Sequence, residues 1–190
     1  MTKEGYEADD LLVTLSNKAL ASGFDTIIVA SDLDILQLVN LATEVEIFSQ
    51  YWPTRHFDIE STVRRFDGLS PQTIPDYKAL VGDISDNLPG VPGIGNVSAT
   101  AVLQAYGSRN NLYEDLTMIS DLPIRGAKCV SRLLAEHQEQ AFLMRTLTTI
   151  VCDVPVDLDL GEAMDGIVWL YRLIFFPYLP LCTSANHTVT

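Results

Sequence analysis

Basic residues and cysteines are scarce in this sequence. Lys and Arg together number 12 against 25 Asp and Glu, which gives a formal net charge of −13. That balance argues against a broad basic surface that binds nucleic acid through charge alone. The three cysteines, Cys129, Cys152 and Cys182, are too far apart to suggest a zinc site or a disulfide framework, and they fit a reducing compartment.

The sequence also lacks a long uninterrupted apolar run. Its most apolar stretch, residues 167 to 182, contains Arg172, Pro177 and Pro180 and falls short of a membrane-spanning segment. The first six residues contain no apolar signal region. We therefore expect a cytoplasmic location and no membrane partner.

Hydrophobic residues make up 47% of the 190 residues, enough for a packed core in one domain or one and a half. Apolar residues at helical spacing predict a helix from about Tyr6 to Ser22, which Gly23 ends. Residues 25–30 are predicted as a short buried strand, residues 45–48 as a second strand, and residues 35–39 as the start of a further helix. This order predicts part of an α/β fold with a parallel sheet, in which ligands bind at the carboxyl ends of strands.

From Tyr51 onwards the pattern becomes mainly helical. Asp58 is predicted to cap one helix, Ser70-Pro71 to open another, and Gly107 to end a helix that begins near Ser98. Further helices are predicted over residues 112–116, 124–136 and 137–150.

The sequence therefore predicts three regions. Residues 1–50 would be an α/β region, residues 51–160 a helical region, and residues 161–190 an apolar tail.

Acidic residues gather in three groups along the chain. They are Glu7, Asp9, Asp10, Asp32, Asp34, Asp83 and Asp86. Taken singly, each group fits ordinary local structure, because acids favour the first turn of a helix and Asp favours turns. Taken together they suit a site for two divalent cations roughly 3.5–4 Å apart, since so many carboxylates would repel one another without metal. Carboxylate oxygens are the ligands that Mg²⁺ and Mn²⁺ prefer.

A Gly- and Pro-rich run follows the last acidic group. It extends from Val81 to Gly95 and leads into a helical pattern. Alone, such a run is most often a surface loop. A glycine hairpin before a helix start also exposes backbone N–H groups that suit a phosphate, so metal and phosphate chemistry lie side by side.

The whole run closely resembles the metal-binding and helix–three-turn–helix segment of the 5′-nuclease family, which comprises flap endonucleases and the 5′–3′ exonuclease domains of bacterial DNA polymerase I. Three blocks carry the likeness in the same order and spacing, residues 5–10, 30–38 and 76–87. Residues 125–128 and 148–158 continue it. The resemblance implies a nuclease core of the PIN-like α/β class followed by a helical helix–three-turn–helix DNA-binding subdomain.

By this resemblance, the seven acids would be catalytic metal ligands or support them, and two Mg²⁺ or Mn²⁺ ions would be the cofactors. The partner would be DNA in the form of a flap, a nick or a 5′-ended duplex. A DNA polymerase domain, or the missing N-terminal segment, would be a further partner. A K⁺ ion would bind at the hairpin carbonyls. The expected DNA contacts are Lys78, Gly90, Val91, Gly93, Ile94, Gly95 and Ser98.

The chain departs from the family pattern at three places. By the resemblance, residues 1–50 would be only the C-terminal part of the metal-dependent nuclease core, and the apolar tail at 161–190 diverges from the charged helix expected there. The chain begins almost inside the first acidic helix, so we expect the earlier strands of the family core, with their metal-binding Asp, to be missing. Val97 and Ser98 stand where the family usually carries a Lys, which removes one charge-assisted phosphate contact.

Two functions therefore stay open. One is a 5′–3′ exonuclease or structure-specific flap endonuclease that hydrolyses DNA phosphodiesters with two metal ions, with reduced or no activity in this chain alone. The other is a non-catalytic module that binds duplex DNA selectively by structure. Tyr51 and Trp52 are predicted to pack rather than to stack on bases.

Overall fold

A computed structural model describes residues 2–157, so the predicted tail at 161–190 lies outside the described residues. The described residues up to Val156 belong to one compact unit. Within them, no helix is long and apolar enough to cross a membrane. Cys129 and Cys152 are exposed free thiols, and Cys182 lies outside this part of the chain.

The first half combines one helix with a three-stranded sheet. Helix α1 (Ala8–Ala21) leads into strand β1 (Thr26–Ala30), followed by β2 (Thr43–Ile47) and β3 (Arg55–Phe57). The sheet order is β1-β2-β3. Strands β1 and β2 are parallel, and β2 and β3 are antiparallel. The predicted α/β class is confirmed, with a small mixed sheet.

Two predicted elements differ from the structure. Strand β1 is not buried as predicted, since Ile27 and Val29 are 60% and 45% exposed. Residues Asp34–Leu38 form a 3₁₀ helix rather than the start of an α-helix. It ends at Val39 because Asn40 then pairs back to Thr43, at the start of β2. The short connection leaves no room for a further helical turn before the sheet resumes. Ile35 and Leu36 are fully buried in the core beside the sheet.

The second half is helical, as the sequence predicts. Its α-helices are α2 (Ile59–Arg65), α3 (Ile74–Val81), α4 (Asn96–Tyr106), α5 (Arg109–Glu114), α6 (Ala127–Glu136) and α7 (Gln138–Thr148). Short 3₁₀ helices occupy Pro71–Thr73 and Leu116–Asp121.

Local signals set several of these helix ends. The Asp58 carboxylate accepts a 2.8 Å hydrogen bond from the Ser61 N–H at the start of α2, which confirms the predicted cap. Gly107, with φ 75°, ends α4 as predicted.

Two apolar clusters support the two halves. One surrounds the sheet and includes Ile28, Val45 and Phe57. The other lies among the helices and includes Leu80 and Leu103. Phe66 packs against both clusters, so the sheet and the helical half share a continuous apolar interior. This packing fixes α3, and with it the last acidic group, relative to the end of β1.

A buried carboxylate also holds three helices together. Asp76 on α3 is 7% exposed. Its Oδ2 accepts a 3.1 Å hydrogen bond from the Arg109 backbone N–H of α5, and its Oδ1 accepts a 2.7 Å bond from Nε of Arg145 on α7. Removing one member of such a buried group leaves the opposite charge without a partner.

We expect Asp76→Asn to lower the free energy of unfolding by about 3 kcal/mol, because the Arg145 guanidinium, only 27% exposed, would then lie beside a neutral amide. Urea unfolding followed by circular dichroism measures this. The control is Glu60→Gln, which breaks an ion pair to Arg64 between side chains that are 81% and 72% exposed and should leave the midpoint unchanged. Equal shifts in both variants would contradict a structural role for Asp76.

Candidate functional site

The fold brings the three acidic groups to one cavity of about 550 Å³. Six of the seven predicted acids line it: Glu7, Asp9, Asp10, Asp32, Asp34 and Asp86. The seventh, Asp83, lies against the same place, since one oxygen each from Asp34, Asp83 and Asp86 falls within 4.8 Å of the others. Residues separated by more than seventy positions in the sequence are thus adjacent in space.

The first acidic group is positioned by the start of α1. Asp10 Oδ2 accepts a 3.0 Å hydrogen bond from the Glu7 N–H, and Asp10 Oδ1 accepts a 2.8 Å bond from the Val151 N–H beyond α7. These two bonds fix the orientation of Asp10 and link α1 to the chain after α7. Burial, followed by the negative charge of Asp32, raises the pKa of Asp9 above its ordinary value.

The second group follows the carboxyl end of β1. Asp32 Oδ1 accepts a 2.9 Å hydrogen bond from the Asp34 N–H, which closes a tight turn. Asp32 is exposed and Asp34 is half-buried. Both carboxylates lie at the strand end where parallel sheets bind ligands.

Lys78 lies between the second and third groups. Its side chain is 11% exposed, and its ammonium pairs with Asp34 Oδ1 and, at 2.7 Å, with Asp83 Oδ2. Lys78 is predicted above to contact DNA phosphate. In the structure its charge is instead directed at two carboxylates, and the phosphate contact stays a prediction.

Asp83 carries the strongest electrostatic perturbation of the seven acids. Burial alone would raise its pKa, but hydrogen bonds from Lys78 and from the Ser85 hydroxyl and N–H outweigh it and lower the pKa to about 2. Asp83 is therefore ionised throughout the neutral range, and a bound cation would share its oxygens with Lys78 and Ser85.

The donor set fits divalent cations. Seven carboxylates converge at this site. Among the described residues, one ammonium pairs with them, that of Lys78, which contacts Asp34 and Asp83. Uncompensated carboxylates at this density repel one another, and hard cations with oxygen preference relieve that repulsion. Asp34, Asp83 and Asp86 offer the tightest group of ligand oxygens.

Two glycines, one on each side of the Asp83–Leu88 pair, shape the hairpin. Gly82 and Gly90 both have positive φ, 87° and 62°. A Cβ on Gly90 would lie 2.3 Å from the Gly82 nitrogen. Between them Asp83 and Leu88 exchange two backbone hydrogen bonds, of 2.9 and 2.8 Å. The backbones can approach this closely because both crossing residues lack side chains.

The predicted DNA-contacting residues of the hairpin are not equally accessible. Gly93 and Gly95 are exposed and Ser98 is half-buried. Gly90, Val91 and Ile94 are buried, so their side of the hairpin faces the helical core. Gly95 is the residue before α4, so the exposed N–H groups at the start of that helix lie next to the exposed glycines.

Residues at the end of α7 complete the cavity and were missed as site residues by sequence reasoning. The cavity lining includes Thr146 through Val151. Gln37 joins this segment to the 3₁₀ helix Asp34–Leu38, since its amide donates to Thr148 O at 3.1 Å and accepts from the Ile150 N–H at 3.2 Å. Their resemblance to the family was visible in the sequence, but nothing in it placed them beside residues more than one hundred positions earlier.

Comparison with known proteins shows the family of the chain. A family model described as "5'-3' exonuclease, N-terminal resolvase-like domain" matches residues 1–67. A second, described as "5'-3' exonuclease, C-terminal SAM fold", matches residues 69–166. The division of the chain at residue 50 that the sequence suggests stays a prediction.

Curated relatives and solved structures are similar over most of the chain. DNA polymerase I of Chloroflexus aurantiacus is 42% identical over 169 residues, 87% of this chain and 17% of that protein. A 5'-3' exonuclease of Buchnera aphidicola is 33% identical over 85% of this chain and 55% of that protein. The chain thus spans only part of the length of these relatives.

The T5 5'-exonuclease solved with bound zinc has the same fold, with a TM-score of 0.63 at 22% identity over 80% of this chain and 52% of that one. The T5 D15 protein co-crystallised with metal ions gives a TM-score of 0.65 at 21% identity, over 80% of this chain and 53% of that one. With two matching models that together cover residues 1–67 and 69–166, the chain belongs to the 5′–3′ exonuclease family.

Proposed function

We propose that this chain contributes a 5′–3′ exonuclease or flap endonuclease site that hydrolyses DNA phosphodiesters with two divalent metal ions. The observation that carries the proposal is the convergence of the seven carboxylates at one cavity beside the end of β1. Bound Mg²⁺ or Mn²⁺ would supply an activated water and stabilise the leaving oxygen. The T5 structures, one with bound zinc and one co-crystallised with metal ions, support the choice of a metal-dependent reaction.

In this proposal the carboxylates position metal rather than act as covalent groups. Asp34, Asp83 and Asp86 would hold one ion, because their oxygens already lie within 4.8 Å of one another. Glu7, Asp9 and Asp32, which line the same cavity, would serve a second ion. Both carboxylate oxygens of Asp10 accept hydrogen bonds from backbone N–H groups, so Asp10 would support the first turn of α1.

The hairpin would hold the DNA backbone. The exposed glycines Gly93 and Gly95 and the half-buried Ser98 lie before and within the first turn of α4. Backbone N–H groups at a helix start favour a phosphate. A K⁺ ion at the hairpin carbonyls belongs to the same proposal, although Gly90 O already accepts a hydrogen bond from the Gln140 amide.

The relatives suggest the substrate and the partner. A T5 D15 flap endonuclease was solved as a complex with DNA and metal ions, which supports DNA as the substrate here. The similarity to DNA polymerase I supports a polymerase domain as a functional partner.

One observation favours a second candidate, a duplex-binding module without catalysis. Lys78 already neutralises part of the charge of Asp34 and Asp83 in the absence of metal. Carboxylates whose charge is balanced by a cation of the same chain can stabilise the fold without binding metal. In that case the hairpin would bind duplex DNA and no divalent metal would be required.

Asp32→Asn separates the two candidates. The Asn side-chain oxygen can still accept from the Asp34 N–H, so the turn is preserved while the charge is lost. We expect cleavage of a 5′-labelled flap duplex in Mg²⁺ or Mn²⁺ to fall by about 100-fold, as for other changes at a metal centre. The matched control is Asp25→Asn, which removes an exposed Asp just before β1, at the opposite end of the strand from Asp32.

Cleavage that needs metal and survives Asp25→Asn but not Asp32→Asn would support the nuclease. Equal cleavage by both variants would contradict a role for Asp32. Duplex binding without metal-dependent cleavage in any variant would support the binding module instead.

A further inference from the structure

A second cavity, of about 450 Å³, lies on the other side of the β1 strand end and carries exposed aromatic rings. Tyr51 and Trp52 line it and are 80% and 75% exposed. The prediction from sequence that they are packing residues is therefore wrong. The segment that holds them leads from β2 to β3.

The two cavities share one short stretch of backbone. Ser31 and Leu33 line the aromatic cavity, while Asp32 and Asp34 line the acidic cavity. Successive residues after β1 thus point to alternate sides. A nucleotide in the aromatic cavity would therefore lie against residues that adjoin Asp32 and Asp34 of the candidate metal site in the chain.

The aromatic cavity also carries a positive charge. Arg55, at the start of β3, contributes to its lining. Its guanidinium carbon lies 5.9 Å from the centre of the Phe57 ring, and it forms no ion pair with any carboxylate among residues 2–157. Exposed rings beside an unneutralised Arg combine the two features that bind single-stranded nucleic acid, a stacking surface and a contact for the backbone phosphate.

We propose that Tyr51, Trp52 and Arg55 form a subsite for an unpaired nucleotide of the DNA substrate, next to the candidate metal site. The rings stack on the base and Arg55 contacts its phosphate. The identity of the substrate rests on the proposed function. The subsite would explain how the chain recognises a frayed or flapped end although its net charge is −13.

The test uses fluorescence in place of cleavage. The chain has two Trp residues, so Trp169→Phe leaves Trp52 as its sole Trp. In this full-length variant, with EDTA present to prevent hydrolysis, a thymidine oligonucleotide of about eight residues should quench Trp52 emission in a saturable way. A blunt duplex of the same length should not.

Second variants in the Trp169→Phe background identify the contacts. Tyr51→Ala should weaken oligonucleotide binding about tenfold through the lost stacking surface. Arg55→Gln should weaken it and flatten its dependence on salt. Leu41→Ala is the matched control, because Leu41 is 96% exposed and is absent from the cavity lining, and it should bind like the parent.

Absence of quenching, equal quenching by the blunt duplex, or unchanged affinity in Tyr51→Ala and Arg55→Gln would each overturn the proposal. Emission that is already blue-shifted and insensitive to DNA would show that apolar residues of the chain itself cover the rings, which also overturns it. Quenching without metal-dependent cleavage would leave the subsite standing and refute only the nuclease. Cleavage without quenching would refute only the subsite.

Discussion

Gly90→Ala is expected to lower the free energy of unfolding by about 4 kcal/mol or more, which is most of the stability of an ordinary domain. Gly90 has φ 62°, a conformation that L side chains rarely adopt. An added Cβ would also meet the Gly82 nitrogen at 2.3 Å and the Val81 carbonyl carbon at 2.4 Å. These neighbours are backbone atoms, so no side-chain rotation can relieve the overlap.

The damage should spread from the hairpin to the candidate site. Val91 N–H donates to Leu80 O at 2.8 Å, which ties the hairpin to α3, the helix that carries Lys78. Urea unfolding followed by circular dichroism measures the loss, and a variant that shows no cooperative transition is its extreme form. The matched control is Gly95→Ala, where an added Cβ meets nothing within 4 Å and φ is −107°.

Gly95→Ala should stay within about 1 kcal/mol of the parent, since only the residue before α4 changes. A Gly90→Ala protein with the parent's unfolding midpoint would show that the two hairpin backbones do not cross at van der Waals contact. A large loss of stability in both variants would show that any added side chain destabilises the hairpin. It would contradict the explanation that the loss comes from close approach of the backbones at Gly90.

Much of the fold could be predicted because its signals are local. Asp58 caps α2 with its own side chain, and Gly107 ends α4 through its own backbone conformation. Strand β3 could not be found in this way. Its three residues carry no alternating run long enough to identify a strand, and it exists because Phe57 pairs across to Val45 of β2.

The same distinction applies to the candidate site. The seven acids were identifiable from residue type, spacing and family resemblance, and the structure brings them together. Their partners were not identifiable. The Val151 N–H that binds Asp10 lies 141 positions away, and an amphipathic helix such as α3 gives no sign that its Lys is turned inward. Which charge balances the carboxylates depends on packing between distant elements.

Lys78→Met should therefore destabilise the metal-free protein by about 3–4 kcal/mol, because Asp34 and Asp83 would keep their burial and lose their cation. The three side chains are 11%, 19% and 15% exposed, so solvent does little to screen the change. Urea unfolding in EDTA measures this loss. Lys128→Met, at an exposed position on α6, is the matched control and should leave the midpoint unchanged.

A second substitution tests the reason for that loss. Adding Asp83→Asn to Lys78→Met removes one of the two unpaired charges and should restore part of the stability, which a double-mutant cycle would show as strong coupling. If Lys78→Met alone proves as stable as the parent in EDTA, its ammonium is not the charge that balances these carboxylates.

Divalent metal should offset the loss of stability that Lys78→Met causes. A cation bound by Asp34, Asp83 and Asp86 would take over the role of the lost ammonium, so Mg²⁺ or Mn²⁺ should stabilise Lys78→Met more than the parent, in which the ammonium competes for the same oxygens. The gain should disappear in Lys78→Met/Asp83→Asn, which lacks a ligand. A metal-induced gain that is identical in the parent and in Lys78→Met would place the ion elsewhere in the cavity, beside Glu7, Asp9 and Asp32.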